Sequence, residues 1–222
     1  ISLNFSGLEK GSGFEMTIPI FLKLIFAVLY GDLLMLLYNQ CKPYELIEKE
    51  TDKVLEKWEK KLGEAFHKNK YFATAKTYKN ILDDFAKIER KKIKKPKVGI
   101  VGEIYVKYSP LANNHLEKFL ISEGCEPVVP GLLDFCLYCA INNVNDGKLY
   151  GFRNKTTFFN KLGYDILYSK QKQMIKIINQ HGIFNAPHDF EHLRDEADKY
   201  IHQGVKMGEG WLITAEMSAL AQ

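Results

Sequence analysis

Apolar residues recur along this chain in more than one rhythm. Residues 18–38 are almost continuously apolar, interrupted by charge only at Lys23 and Asp32. That run is long enough to raise a membrane span. The two charges, and the lack of a basic flank after it, favour a buried core helix. An unpaired buried carboxylate is costly, so Asp32 needs a partner, and a helix cap after a break at Gly31 would supply one. Pro43 ends the run. Thr51 and Asp52 then open a helix striped by Val54, Leu55, Trp58, Leu62, Ala65 and Phe66. After Gly63 and Asn69 a further helix is predicted, because Tyr71, Phe72, Ala75, Tyr78, Ile81, Leu82, Phe85 and Ile88 recur at steps of mostly three and four.

The rhythm changes beyond the lysine-rich residues 91–97. A short apolar run at 98–101 ending at Gly102 reads as a buried parallel strand. A polar loop follows, then an amphipathic helix capped by Asn113, with Leu116, Phe119 and Leu120 inward and Gly124 as a left-handed stop. Residues 127–129 make a second strand. Next come a buried helix at 132–142, a turn at Asn145-Asp-Gly147, a short helix over 156–163 and a longer one over 166–180 ended by His181-Gly182. Asp189 caps a helix running to Gln203, with Leu193, Ala197, Tyr200 and Ile201 inward. Gly208-Glu-Gly210 is a tight loop before a last helix at Trp211. The fold class expected is α/β, helix-rich, with a small parallel sheet of the kind found in half of a flavodoxin-like domain. The organisation expected is a helical region over 1–95 and an α/β unit over 96–222, truncated at its C-terminus.

The 222 residues, 46% hydrophobic and 13% aromatic, suffice for a proper core and exclude a disordered chain. The net charge of +4 is local, since residues 51–96 carry an excess of seven positive charges and the flanking regions are slightly negative. A solvated basic linker is therefore expected, and nucleic acid is not an expected partner. Four cysteines without a secretory signal argue for a reduced, cytoplasmic setting. The chain opens at Ile1 and closes at 219–222 inside an apolar helical pattern, as a piece of a longer polypeptide would.

Three motifs invite chemistry. His188-Asp-Phe-Glu-His192 matches a metalloprotease pattern, with Glu196, Glu209 or Glu216 as a third ligand. Pro187 and the cap at Asp189 place His188 outside the helix, so no metal is expected. Cys136-Leu-Tyr-Cys139 has redox or metal spacing, but it lies within an apolar helix, and buried thiols are expected. Gly208-Glu-Gly210 offers backbone N–H groups to an anion, without the ending of a phosphate loop. Ligands of α/β units sit at the carboxyl ends of strands. The ligand site is therefore expected where the 102–114 loop meets the 208–211 loop. Glu103 and Glu209 would share a cleft with the N–H groups of Gly102, Gly208 and Gly210, Tyr105 and Trp211 would wall it, and Asn113 would supply a polar contact.

The same residues carry a resemblance. Gly102-Glu-Ile-Tyr-Val106 with Asn113, Gly208-Glu-Gly-Trp-Leu-Ile-Thr-Ala-Glu-Met217, and the earlier Gly31-Asp-Leu-Leu34 with Pro43-Tyr-Glu45 are similar, in order, to the dehydratase-like region of acyl-CoA dehydratase activase-related proteins. Those are relatives of 2-hydroxyacyl-CoA dehydratase subunits and their ATP-dependent activases. The resemblance implies a parent in which an ATP-driven, iron–sulfur activase delivers an electron to a dehydratase acting on a CoA thioester. This chain would supply scaffold and part of a ligand or docking surface, with no cofactor of its own; iron–sulfur and ATP would belong to the parent. Its partners would be the parent's other domains and an acyl-CoA or dehydratase partner, not a membrane. Whether the chain is itself an enzyme stays open. So does a different class, a stand-alone α/β module that binds a small anion without redox chemistry.

Overall fold

The computed structural model describes residues 17–151 and 155–221. Its first helix, α1 (Ile18–Cys41), runs straight through Gly31. Leu29, Leu33 and Leu37 recur every four residues on one face and are completely buried. Burial of each such side chain contributes about 2 kcal/mol. The helix is long and apolar enough to cross a membrane by length and composition. Here its second half lies in the core, while Ile18, Phe21 and Leu24 near its start are exposed.

Helices α2 (Glu50–His67) and α3 (Thr74–Ala86) pack against α1. Trp58 and Leu62 from α2 and Tyr78, Ile81, Leu82 and Phe85 from α3 enter the core, as their spacing predicts. The start of α2 is held differently from the expected Thr51–Asp52 cap. The carboxylate of Glu45 accepts the N–H groups of Lys49 and Thr51, and Thr51 itself is buried. Tyr71 and Phe72 precede α3 instead of belonging to it.

Strand β1 (Lys97–Gly99) pairs in parallel with β2 (Glu126–Val128), Val98 opposite Pro127. Between them lie two short helices, α4 (Ile104–Tyr108) and α5 (Leu116–Ser122). The first replaces the loop expected there. The second ends at Gly124, whose φ of 80° confirms the left-handed stop. Its apolar face is less buried than the pattern suggests, with Leu116 and Leu120 half-buried and Phe119 exposed. Only two strands pair among the described residues, so the helices bury their faces chiefly on one another.

Two breaks expected from turn residues are absent. Helix α6 (Leu132–Leu149) continues through Asn145-Asp-Gly147, because Asn145 donates to Gln203 and Asp146 pairs with Lys206. Tertiary partners there outweigh local turn preference. Helix α7 (Lys155–His181) likewise passes through Gly163, where the backbone meets no steric demand. It ends at Gly182, φ 75°, as expected. Asp189 does cap α8 (Phe190–Asp198), its side chain accepting from Glu191 N–H, but α8 stops short of Gln203 and leaves Tyr200 exposed. Helix α9 (Gly210–Leu220) closes the described chain. One hydrophobic core runs from Phe26 to Ala219 and is shared by the helical region and the α/β region.

Asp32 shows how these regions are joined. Its two carboxylate oxygens accept the N–H groups of Leu132 and Leu133, at 2.9 and 2.8 Å, so it caps α6 and not a helix of its own. A Cβ at Gly131 would stand 2.6 Å from Asp32 Oδ2. Gly131→Ala is therefore expected to destabilise the protein by roughly 1–3 kcal/mol, the usual cost of overpacking. Urea denaturation checks this, and an unchanged midpoint would show that the carboxylate is free to move aside.

Candidate functional site: a cavity beside the strands

The two loops singled out by sequence do meet. Ile104 N–H at the start of α4 donates to Glu209 Oε1 at 3.0 Å, and a Cβ at Gly208 would lie 3.1 Å from Glu103 Oε1. Gly208 and Glu209 both take left-handed φ values, 59° and 60°, which turn the chain sharply into α9 at Gly210. Gly102 sits in the bend before α4. The expected apolar walls are not there. Trp211 is completely buried in the core, its indole N–H donating to Asn142, and Tyr105 is exposed on α4. Glu103 is exposed, whereas Glu209 is buried with Oε2 unpartnered. Asn113 bonds inward, its amide donating to the carbonyls of Val106 and Lys107 and its oxygen accepting from Leu116 N–H. Asn113 thus caps the first N–H of α5 as expected, although His115 is the residue that directly precedes the helix.

A residue pair missed at the sequence level fastens the same two segments. Lys107 and Glu216 are each 1% exposed and form an ion pair of 2.6 Å between α4 and α9. A signal was available: each is the lone charge in an apolar run, Ile104-Tyr-Val-Lys-Tyr108 and Trp211-Leu-Ile-Thr-Ala-Glu-Met217. Opposite charges stranded in two apolar runs are best satisfied by one another. Burial pushes the Glu216 carboxyl up, and the Lys107 ammonium draws it back down.

Further acids gather around this pair. Asp134, on the first turn of α6, is fully enclosed and accepts from Gln171 of α7 at 2.6 Å. The Gln171 oxygen in turn accepts Phe190 N–H at the start of α8, at 3.1 Å. Burial, with Asp32 and Glu216 nearby, raises the Asp134 carboxyl to about 8, so at neutral pH it is mostly an uncharged acid able to donate a proton. Burial also raises Asp32, to about 6, against the opposing pull of the two N–H groups it accepts. Tyr108 donates to Pro130 O at 2.7 Å, and burial among Asp32, Glu216, Asp134 and Glu209 drives its phenol far above the usual range.

Asp134 and Glu216 line a cavity of about 310 Å³ with His188, Asn39, β2 and the segment after it. This lies along both strands, from Lys97 and Glu126 at their amino ends to Gly99 and Val128 at their carboxyl ends. The chain matches no family model, no curated protein and no solved structure.

The motifs with metal-like spacing are placed otherwise. His188 and His192 stack with ring centroids 5.2 Å apart. The acids considered as a third ligand are engaged elsewhere: Glu196 with Lys199 and Ser218, Glu209 with Ile104, and Glu216 with Lys107. Cys136 and Cys139 were expected to be buried, but they fall off the stripe of Leu133, Leu137 and Ile141. Cys136 is half-buried and Cys139 exposed. Cys41 is the buried thiol, pushed up to about 12 by burial. Among the described residues no group of three or more His, Cys, Asp or Glu is placed to hold a metal, and these cysteines do not fit a cluster.

Proposed function

We propose that this chain is the scaffold and docking part of an acyl-CoA dehydratase activase-related polypeptide, a cytoplasmic system that moves an electron to a CoA thioester. In this reading its paired strands are part of a flavodoxin-like sheet, and the ATP and iron–sulfur chemistry belongs to other segments of the parent. One observation carries the reading. Two of the resembling segments, 102–106 and 208–217, are fastened to each other through Ile104–Glu209 and, just beyond the first, Lys107–Glu216, next to the cavity. Resemblance spread over segments that did not meet would carry much less.

What these residues do is mechanical and electrostatic. Lys107 and Glu216 fix α4 against α9, Asp32 fixes α1 against α6, and Asp134 holds a proton beside the cavity. The test is anaerobic expression of the complete reading frame that contains this sequence. Stoichiometric iron and ATP-dependent reduction of an acceptor are expected, with both retained when Cys136 and Cys139 are replaced by serine. A reading frame with neither iron nor nucleotide hydrolysis would refute the proposal.

A further inference from the structure

The start of α1 turns its apolar side chains to the solvent. Ile18 is 77% exposed, Phe21 51%, Leu24 48% and Leu22 37%. From Ile18 to Phe26 the helix rises about 12 Å. At Phe26 it comes level with the connection between α2 and α3, where the Phe26 ring meets those of Tyr71 and Phe72, each with centroids 5.2 Å away. Phe72 is itself 55% exposed, so it extends the same patch. Apolar residues scattered singly over a surface are ordinary, whereas a cluster gathered at one end of a molecule marks an interaction site.

Charge narrows the class of partner. Residues 17–26 and 65–78, which form this end, contain Lys23, Lys68, Lys70 and Lys76 and no Asp or Glu. Lys68, Lys70 and Lys76 are exposed. Lys68 has a loose, solvent-exposed ion pair with Glu64 at 3.9 Å, and Lys70 and Lys76 have none among the described residues. An apolar tip flanked by cations is complementary to anionic headgroups lying over acyl chains. A nucleic acid would satisfy the cations and leave the phenyl and isobutyl groups in water. The helix does not cross the bilayer in this fold, because Leu29, Leu33 and Leu37 are completely buried and Asp32 caps α6. Only its first turns are free to leave water.

We propose that this end of the molecule rests on an anionic lipid surface, with Phe21, Leu22 and Leu24 immersed where headgroups give way to acyl chains and Lys68, Lys70 and Lys76 among the headgroups. Immersion of about 5–10 Å is usual for such contacts, within reach of the exposed turns. The inference adds a partner that the resemblance does not imply, and it is independent of the electron-transfer role because it rests on this surface alone. The probe is a vesicle of phosphatidylcholine with about 30% phosphatidylserine. In flotation assays the 222-residue chain should bind it, and should bind phosphatidylcholine alone at least about tenfold more weakly. Phe21→Ser combined with Leu24→Ser should weaken binding at least about tenfold, through lost burial of two apolar side chains. Lys68→Gln combined with Lys70→Gln should also weaken it about tenfold, at roughly fivefold or less for each lysine near the surface. Raising the salt from about 0.1 M to about 1 M should act in the same direction. All four positions are exposed, so both variants should melt within about 2 °C of the unaltered protein. Absence of binding to the anionic vesicles, or equal binding to the neutral ones, would overturn the proposal. So would a loss with the lysine variant and none with the serine variant, the mark of a polyanion site such as one for nucleic acid. Resistance to extraction at high salt and alkaline pH would instead mark a spanning helix, and a dimer dispersed by the serine variant in light scattering would mark a second copy as the occupant; either result would overturn it too.

Discussion

Replacing Lys107 with alanine is expected to lower the melting temperature by roughly 10 °C. The ion pair with Glu216 is almost fully enclosed. Removing one member of such a pair leaves an uncompensated charge and costs about 3–5 kcal/mol. For a chain of this size, each kcal/mol corresponds to about 2–4 °C. The loss should be smaller at pH 5 than at pH 8, because the orphaned Glu216 escapes the penalty by taking up a proton. Lys107→Met combined with Glu216→Leu should recover most of the stability, since hydrophobic replacement of both partners is often neutral or better. Differential scanning calorimetry of the two variants at both pH values checks this. A single variant melting within 2 °C of the unaltered protein would show that the pair is hydrated in solution.

Asp134→Asn should change the pH dependence more than the neutral-pH fold. The native carboxyl titrates at about 8, above its ordinary 3.8. Between those values the native state holds a proton that the unfolded state has released, so stability falls as pH rises. From pH 6 to pH 8 that loss is on the order of 2 kcal/mol, or about 5 °C. Asparagine keeps the oxygen that accepts from Gln171 and cannot ionise, so the variant should be nearly flat across this window and the more stable of the two at pH 8. Asp32, raised to about 6, steepens the curve mainly below the window, and it does so in both proteins. Parallel melting curves for the two proteins from pH 6 to 8 would place the titration elsewhere.

Much of this architecture was legible because its determinants are local. The stripe of α3, the strand before Gly102, the Asp189 cap and the stops at Gly124 and Gly182 depend on neighbours within a few residues. The misreadings share the opposite property. Asn145 and Asp146 favour a turn until Gln203 and Lys206 reach them from some 60 residues away. Trp211 reads as a cleft wall until Asn142 receives its N–H. The candidate site was legible as a meeting of two loops, but of its charged centre the sequence shows only two lone charges in apolar runs, not their pairing. Lys107, Glu216 and Asp134 acquire their meaning only when three elements converge, and periodicity within any one of them is silent about that.

The cap that Asp32 places on α6 has a consequence for synthesis. Its partners at Leu132 and Leu133 follow it by 100 and 101 residues. At about 5–20 residues per second on the ribosome, α1 waits roughly 5–20 s between its own polymerisation and that of the helix it must dock against. During that interval α2 and α3 can already pack on α1, but the part of its face meant for α6 and a carboxylate meant for burial are both without partners. A nascent chain arrested shortly before residue 132 should therefore be a far better client for chaperones than one arrested after α6 has cleared the tunnel.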